Sequence, residues 1–197
     1  MEQMGRSQHT MIKQLRKTYQ LKISLKDAKP PIWRRFLVDS SVTLPNFHEA
    51  IQIVMGWTDS HMHQFIAENR YYGVPDPDFG FAEILDENKY RLNQLLKKEK
   101  ESINYEYDFG DGRVHKLTLE KILPFDHRVP LPLCIKAKGA CPPEDVGGVW
   151  GYYDFLETLD DPDHPEHEEY KEWVGEDFDP AAYDIKEANA LLKEYCR

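Results

Sequence analysis

His61 and His63 stand two residues apart in "DSHMHQF", and that spacing on a strand puts both side chains on one face. His115 closes the segment "YDFGDGRVH", directly after Asp108 and Asp111, and Glu144-Asp145 lie in "ACPPEDVGG". Imidazoles and carboxylates are the groups that hold divalent metals or exchange protons near neutral pH. If the two segments pair in one sheet, His61, His63, Asp108, Asp111, His115, Glu144 and Asp145 form a candidate polar cluster. Within it His61, His63 and His115 are the candidate metal ligands. The competing reading leaves each histidine with a local hydrogen bond and each carboxylate at a turn. No catalytic residue is assigned and no cofactor is expected, a divalent metal being the alternative to that expectation.

The other chemical patterns do not hold together. "DFG" at Asp108–Gly110 lacks the glycine-rich loop, strand lysine and catalytic loop that a kinase requires. "DDPDHPEHEE" lacks the glycine and ligand spacing of a calcium-binding EF-hand loop. Cys134 and Cys141 have six residues between them, unlike the close pair of a zinc knuckle. Walker, nucleophile-elbow, HExxH and dinucleotide motifs are absent.

The elements that must position the polar residues read as α+β, a single domain over 18–197 behind a flexible leader at 1–17. Tyr19, Leu21, Ile23 and Leu25 alternate as one buried strand face, and "IWRRFLVDS" reads as its partner across Pro30-Pro31. "LPNFHEAIQIVMGW" carries Phe47, Ile51, Val54 and Met55 at helical spacing, with Asn46 as N-cap and Gly56 at the helix end. A hairpin turning at Glu68-Asn69 follows, then a loop at "GVPDPDFGF" and a short helix in "RLNQLLKKEK". The order ββαββ is β-grasp-like, within an antiparallel or mixed sheet. The clearest hairpin turns at Gly110-Asp111-Gly112, with Ile103, Tyr105 and Tyr107 before it and Val114, Leu117 and Leu119 after it. "LPLCIKAKG" adds a strand. From about residue 148 the chain is helical: Trp150, Tyr152, Phe155 and Leu156 are expected to be buried, and Asp163 and Asp184 to cap the next two helices. Pro142-Pro143, Glu144-Asp145 and Gly147-Gly148 read as a structural corner between sheet and helices in preference to a catalytic loop.

Charge restricts the partners. Residues 142–197 hold 17 acidic and 4 basic side chains, against a net charge of −10 for the whole chain. Such a third repels phosphate backbones, so nucleic acid is an unfavoured partner and a protein partner with a basic face a favoured one. No apolar run reaches the length of a membrane helix, the first residues lack the apolar stretch of a signal peptide, and three cysteines are too few for a disulfide framework. A cytoplasmic protein is expected.

Three ordered segments resemble the plasmid ORF-3-like family, named for a reading frame on a bacterial root-inducing plasmid. They are "IWRRFLVDSSVTLPNFHEAIQIVMGW" with "DSHMHQF", then "YDFGDGRVHKLTLE", then "CIKAKGACPPEDVGGVWGYYDFLETLDDPDHPEHEEYKEWVGEDFDP". Arg113, where many relatives carry a large aromatic, and Val146, where a cysteine is frequent, depart from the pattern. The resemblance implies a shared fold, no established biochemical activity, and an association of some members with mobile elements under a resolvase-like label. It also implies that the seven polar positions recur. A resolvase needs a nucleophilic serine, an arginine cluster and a basic DNA-binding tail, and this acidic C-terminal third provides no support for that label. The expected role is a binding or accessory protein that is not an enzyme. The alternatives are a metal-dependent hydrolase or nuclease using the His/Asp cluster, and a nucleic-acid-binding accessory protein.

Overall fold

The computed structural model describes residues 16–75, 84–175 and 177–196. The leader, apart from its last two residues, and most of the loop after Gly73 therefore lie outside the described residues. Among the described residues eight strands form one sheet: β1 (Lys17–Leu25), β2 (Trp33–Asp39), β3 (His63–Ala67), β4 (Arg70–Gly73), β5 (Ile84–Asp86), β6 (Ser102–Tyr107), β7 (Arg113–Pro124) and β8 (Leu133–Lys138). Their order across the sheet is β5-β4-β3-β6-β7-β1-β2-β8. Every pairing is antiparallel except β4 with β5. The ββαββ order is present in the chain, but hairpin β6–β7 lies between the two hairpins it contains.

One sheet face is the core. Leu21, Phe36 and Leu119 align across β1, β2 and β7, and Ile23, Leu117 and Ile103 form the adjoining row. All of these are buried. The helix α1 (Leu44–Met55) covers this face, stacking Phe47 between Phe36 and Phe65 at ring separations of 6.1 and 5.7 Å. Its N-cap is Thr43, not Asn46, because the main chain enters the helix at Leu44-Pro45, where proline suits the first turn. Gly56 ends it at φ +94°, and its N–H donates to the Gln52 carbonyl. The buried Arg34 guanidinium donates to the carbonyls of Val54, Trp33 and Lys138, which ties the helix end to strands β2 and β8.

The short helix α2 (Leu92–Leu95) follows β5, and α3 (Gly148–Asp160), α4 (His167–Val174) and α5 (Ile185–Tyr195) complete the chain. Asp184 caps α5 by accepting from the N–H groups of Lys186 and Glu187. Asp163 does not cap α4: its N-cap is Glu166, without a side-chain bond. Asn189 of α5 pairs both ways with the backbone of Cys134, which covers the open edge of β8. Tyr152 and Phe155 are buried as expected and Leu156 is partly so, whereas Trp150 is 77% exposed. Two residues is about 200° around a helix, so α3 cannot bury Trp150 and Tyr152 on one face.

Phe155 is 1% exposed and packs against Tyr152, Tyr170, Trp173 and Phe178. Phe155→Ala should therefore lower the unfolding free energy by about 3–5 kcal/mol. An unchanged urea midpoint would place α3 outside the cooperative core.

Candidate functional site

The polar residues gather where the core face runs out. Moving along the sheet from the apolar rows, one meets His115, Tyr105 and Phe65 in register, then Arg113, Tyr107 and His63. The three strands begin or end at this last row. His61 lies on the loop before β3, Asp108 just past β6, and the 140–148 corner closes over both.

Arg113 organises this end. Its side chain is 1% exposed and donates to Glu144 Oε2 at 2.8 Å, to Asp111 Oδ2 at 2.7 Å and to the Pro143 carbonyl at 2.9 Å. Its guanidinium faces the Trp57 ring at 5.3 Å, and the Trp57 indole N–H donates to the Pro142 carbonyl. Glu144 uses its other oxygen to accept from the Tyr107 hydroxyl at 3.0 Å and the Thr58 N–H at 3.2 Å. The same hydroxyl accepts from the Ser60 N–H. The loop before β3, the β6–β7 turn and the corner are thus linked through three side chains. Burial raises the Asp111 carboxyl, but hydrogen bonds from the Gly148 and Gly147 N–H groups and from Arg113 outweigh it and hold the group below the ordinary range. Gly148 is at φ +70° with its Cα against the Asp111 carbonyl, where any Cβ would collide. That contact, rather than helix propensity, requires glycine at the start of α3.

A second group lies on the α1 side. His48 Nδ1 meets the Tyr105 hydroxyl at 2.8 Å and His48 Nε2 meets Asp59 Oδ1 at 2.7 Å. His63 Nε2 meets Glu87 Oε2 at 2.9 Å, and the two imidazoles stack with centroids 3.4 Å apart. Burial, and then the adjacent His63, hold the His48 pKa below the ordinary value. Gln52 binds the Tyr105 hydroxyl with its amide N–H and the Asp59 N–H with its carbonyl.

The seven residues singled out in the sequence therefore separate. His61, Asp108 and Asp145 converge, with their ligand atoms within 4.8 Å of one another. Asp111 and Glu144 hold Arg113, and His63 pairs with Glu87. His115 is fully buried and its Nδ1 bonds the Tyr105 carbonyl at 3.2 Å, so it does not join the convergence. The corner is structural through Pro142, Pro143 and Glu144, and only Asp145 faces the open mouth. His48, Asp59, Glu87 and Tyr107 were not singled out. Their apolar-looking or turn settings carried no local signal, although His48 and Gln52 share one helix face at i, i+4. A separate cavity of about 380 Å³ between Val38, Ala50, Phe125 and Leu131 shares no residue with the mouth.

This is an α+β protein with one mostly antiparallel sheet and a polar mouth at the end of its core face. The chain belongs to the plasmid pRiA4b ORF-3-like protein family, which it matches over residues 17–187. It is 38% identical to an uncharacterised protein of Sinorhizobium fredii over 175 residues, 88% of this chain and 90% of that one. It also resembles the crystal structure of a protein of unknown function from Methanosarcina mazei, with 40% identity, a TM-score of 0.80, and coverage of 87% of this chain and 97% of that one. No helix among the described residues is long and apolar enough to cross a membrane.

His115 gives a pH prediction. Burial, with a smaller contribution from Arg113, lowers its pKa to about 3. The unfolded chain, with histidine near 6.5, takes up the proton first, so stability is full above about pH 6.5 and falls towards pH 3. Between pH 7 and pH 5 the loss due to His115 should be about 2 kcal/mol. Urea midpoints should show His115→Gln losing correspondingly less than the parent, and equal losses in both would contradict a neutral buried imidazole.

Proposed function

We propose that this protein is a cytoplasmic, non-catalytic binding or accessory protein whose ligand enters at the mouth formed by His61, Asp108 and Asp145. One observation carries the reading. The neighbouring Asp111 and Glu144 share the Arg113 guanidinium at 2.7 and 2.8 Å and His63 is hydrogen-bonded to Glu87, whereas the mouth keeps two carboxylates with no Lys or Arg among the described residues nearer than Arg113 at 3.9 Å from Asp108. Such a mouth favours a cationic group. The acidic residues of 142–197 extend the same preference over the helical third, which suits a basic protein partner and opposes nucleic acid. Three sparse free cysteines suit a reducing compartment. The link of some family members to mobile elements fits an accessory role.

A metal-dependent hydrolase is the second reading, favoured by the imidazole beside two carboxylates. Two assays separate them. Thermal shift against a panel of cations and anions should show cations, and not anions, raising the melting temperature, with the effect reduced in Asp145→Asn. A ligand at 100 times its dissociation constant contributes about 2.7 kcal/mol. Turnover of 4-nitrophenyl phosphate, bis(4-nitrophenyl) phosphate and 4-nitrophenyl acetate should match that of His61→Gln. Turnover that disappears in His61→Gln would replace the binding reading with the hydrolase.

A further inference from the structure

Taking the mouth as the binding site, we infer that its ligand is a first-row divalent metal ion held by His61 Nε2, Asp108 Oδ2 and Asp145 Oδ1. The His61–Asp145 spacing is that of two ligands about an ion, and Asp108 stands a few tenths of an ångström further out, a shift that ion binding would close. His61 Nε2 is 3.1 Å from Asp145 Oδ1 and 3.8 Å from Asp108 Oδ2. Donor atoms about 2.1 Å from a common ion, at angles of roughly 90–109°, are about 3.0–3.4 Å apart. The neighbouring His48–Asp59 and His63–Glu87 pairs are at 2.7 and 2.9 Å, distances at which the two atoms share a proton.

The hydrogen bonding points the same way. His61 Nε2 is shielded from solvent and has no hydrogen-bond partner among the described residues, although two carboxylates stand close by. Neither carboxylate oxygen lies where an N–H would aim, while a cation between the three atoms would satisfy all of them. Asp108 divides its oxygens: Oδ1 accepts from the N–H groups of Gly110 and Asp111, while Oδ2 accepts no hydrogen bond among the described residues and lies 3.8 Å from His61 Nε2 and 3.9 Å from the Arg113 guanidinium. Asp108 and Asp145 both hold left-handed backbone, at φ +58° and +56°.

Charge and exposure complete the site. Two carboxylates and a neutral imidazole balance a divalent ion. Asp108 is buried and Asp145 is largely exposed, so the ion has a wall on one side and an entry on the other. Three protein ligands leave coordination positions for water or for an oxygen donor of a partner. One nitrogen and two oxygens suit zinc, manganese, cobalt or ferrous iron better than copper(I), which prefers sulfur.

Equilibrium dialysis and visible spectroscopy with cobalt(II), followed by zinc competition, test the site on the full chain. One equivalent of cobalt should bind, with d–d bands that zinc displaces. His61→Gln should weaken binding on the order of 100-fold or more, since even supporting residues around metal ligands contribute 10–100-fold. Asp145→Asn, on the surface, should keep the parent's melting temperature without metal and lose at least about 10-fold in affinity. The inference is overturned if no ion binds more tightly than about 1 mM, a free energy of roughly −4 kcal/mol. Binding that survives both substitutions but is lost in His48→Gln also overturns it, because the ion would then sit between His48, Asp59 and His63. Stabilisation by spermidine through Asp145, with none by divalent ions, would end the metal assignment and leave the binding reading standing.

Discussion

The buried guanidinium of Arg113 is the constraint on which this end of the molecule depends. A cation removed from water is costly unless charges and hydrogen bonds surround it. Here it is surrounded by Asp111 from its own β6–β7 turn and by one remote segment, Glu144 with Pro143 in the corner. Satisfying the charge therefore requires the corner to fold onto the turn. The mouth follows from that closure. Asp145 is next in the chain to Glu144, and Asp108 lies at the base of the turn that carries Asp111. Tyr107 then draws in the third segment, since its hydroxyl joins Glu144 to the Ser60 N–H beside His61.

The same closure separates two kinds of polar group. Those close to Arg113 and to the His48–His63 stack are paired at hydrogen-bond distance and act as scaffold. Those at the rim are positioned by that scaffold but not neutralised by it. A polar network in a core costs stability when only partly satisfied. Buried atoms without a partner occur in the scaffold too, at Arg113 Nε and His115 Nε2, and His61 Nε2 differs from them in facing two carboxylates, which marks a ligand position. Tyr105 shows how firmly the scaffold is held: fully buried, it accepts from Gln52 and meets His48, and burial keeps its hydroxyl protonated far into alkaline pH.

Much of the fold was legible in the sequence because its signals are local. The alternation of Tyr19 to Leu25, the left-handed Gly56 helix end and the Asp184 cap each depend on a few adjacent residues, and each stands as read. The β6–β7 hairpin was legible as a hairpin, but Val114 was grouped with Leu117 and Leu119. The core face is instead Arg113, His115, Leu117 and Leu119. A charged residue and a histidine at core positions contradict hydrophobic alternation; Arg113 is explained by Asp111 and the distant corner, and His115 by the Tyr105 carbonyl on the adjacent strand. His61, Asp108 and Asp145 were named as members of a larger set. Their separation from Asp111, Glu144, His63 and His115 depends on sheet register and on the corner's approach, neither of which is encoded in local spacing. Trp150 was misplaced because the first turn of α3 was taken as buried on two opposed faces.

The measurement that addresses the account most directly is a double-mutant cycle for Arg113→Met and Glu144→Gln, followed by urea unfolding. If this ion pair closes the corner onto the turn, the two substitutions share one interaction. Their combined effect should then fall short of the sum by about 1–3 kcal/mol. Additivity within about 0.5 kcal/mol would show the corner held by other contacts, and would contradict the dependence of the mouth on Arg113.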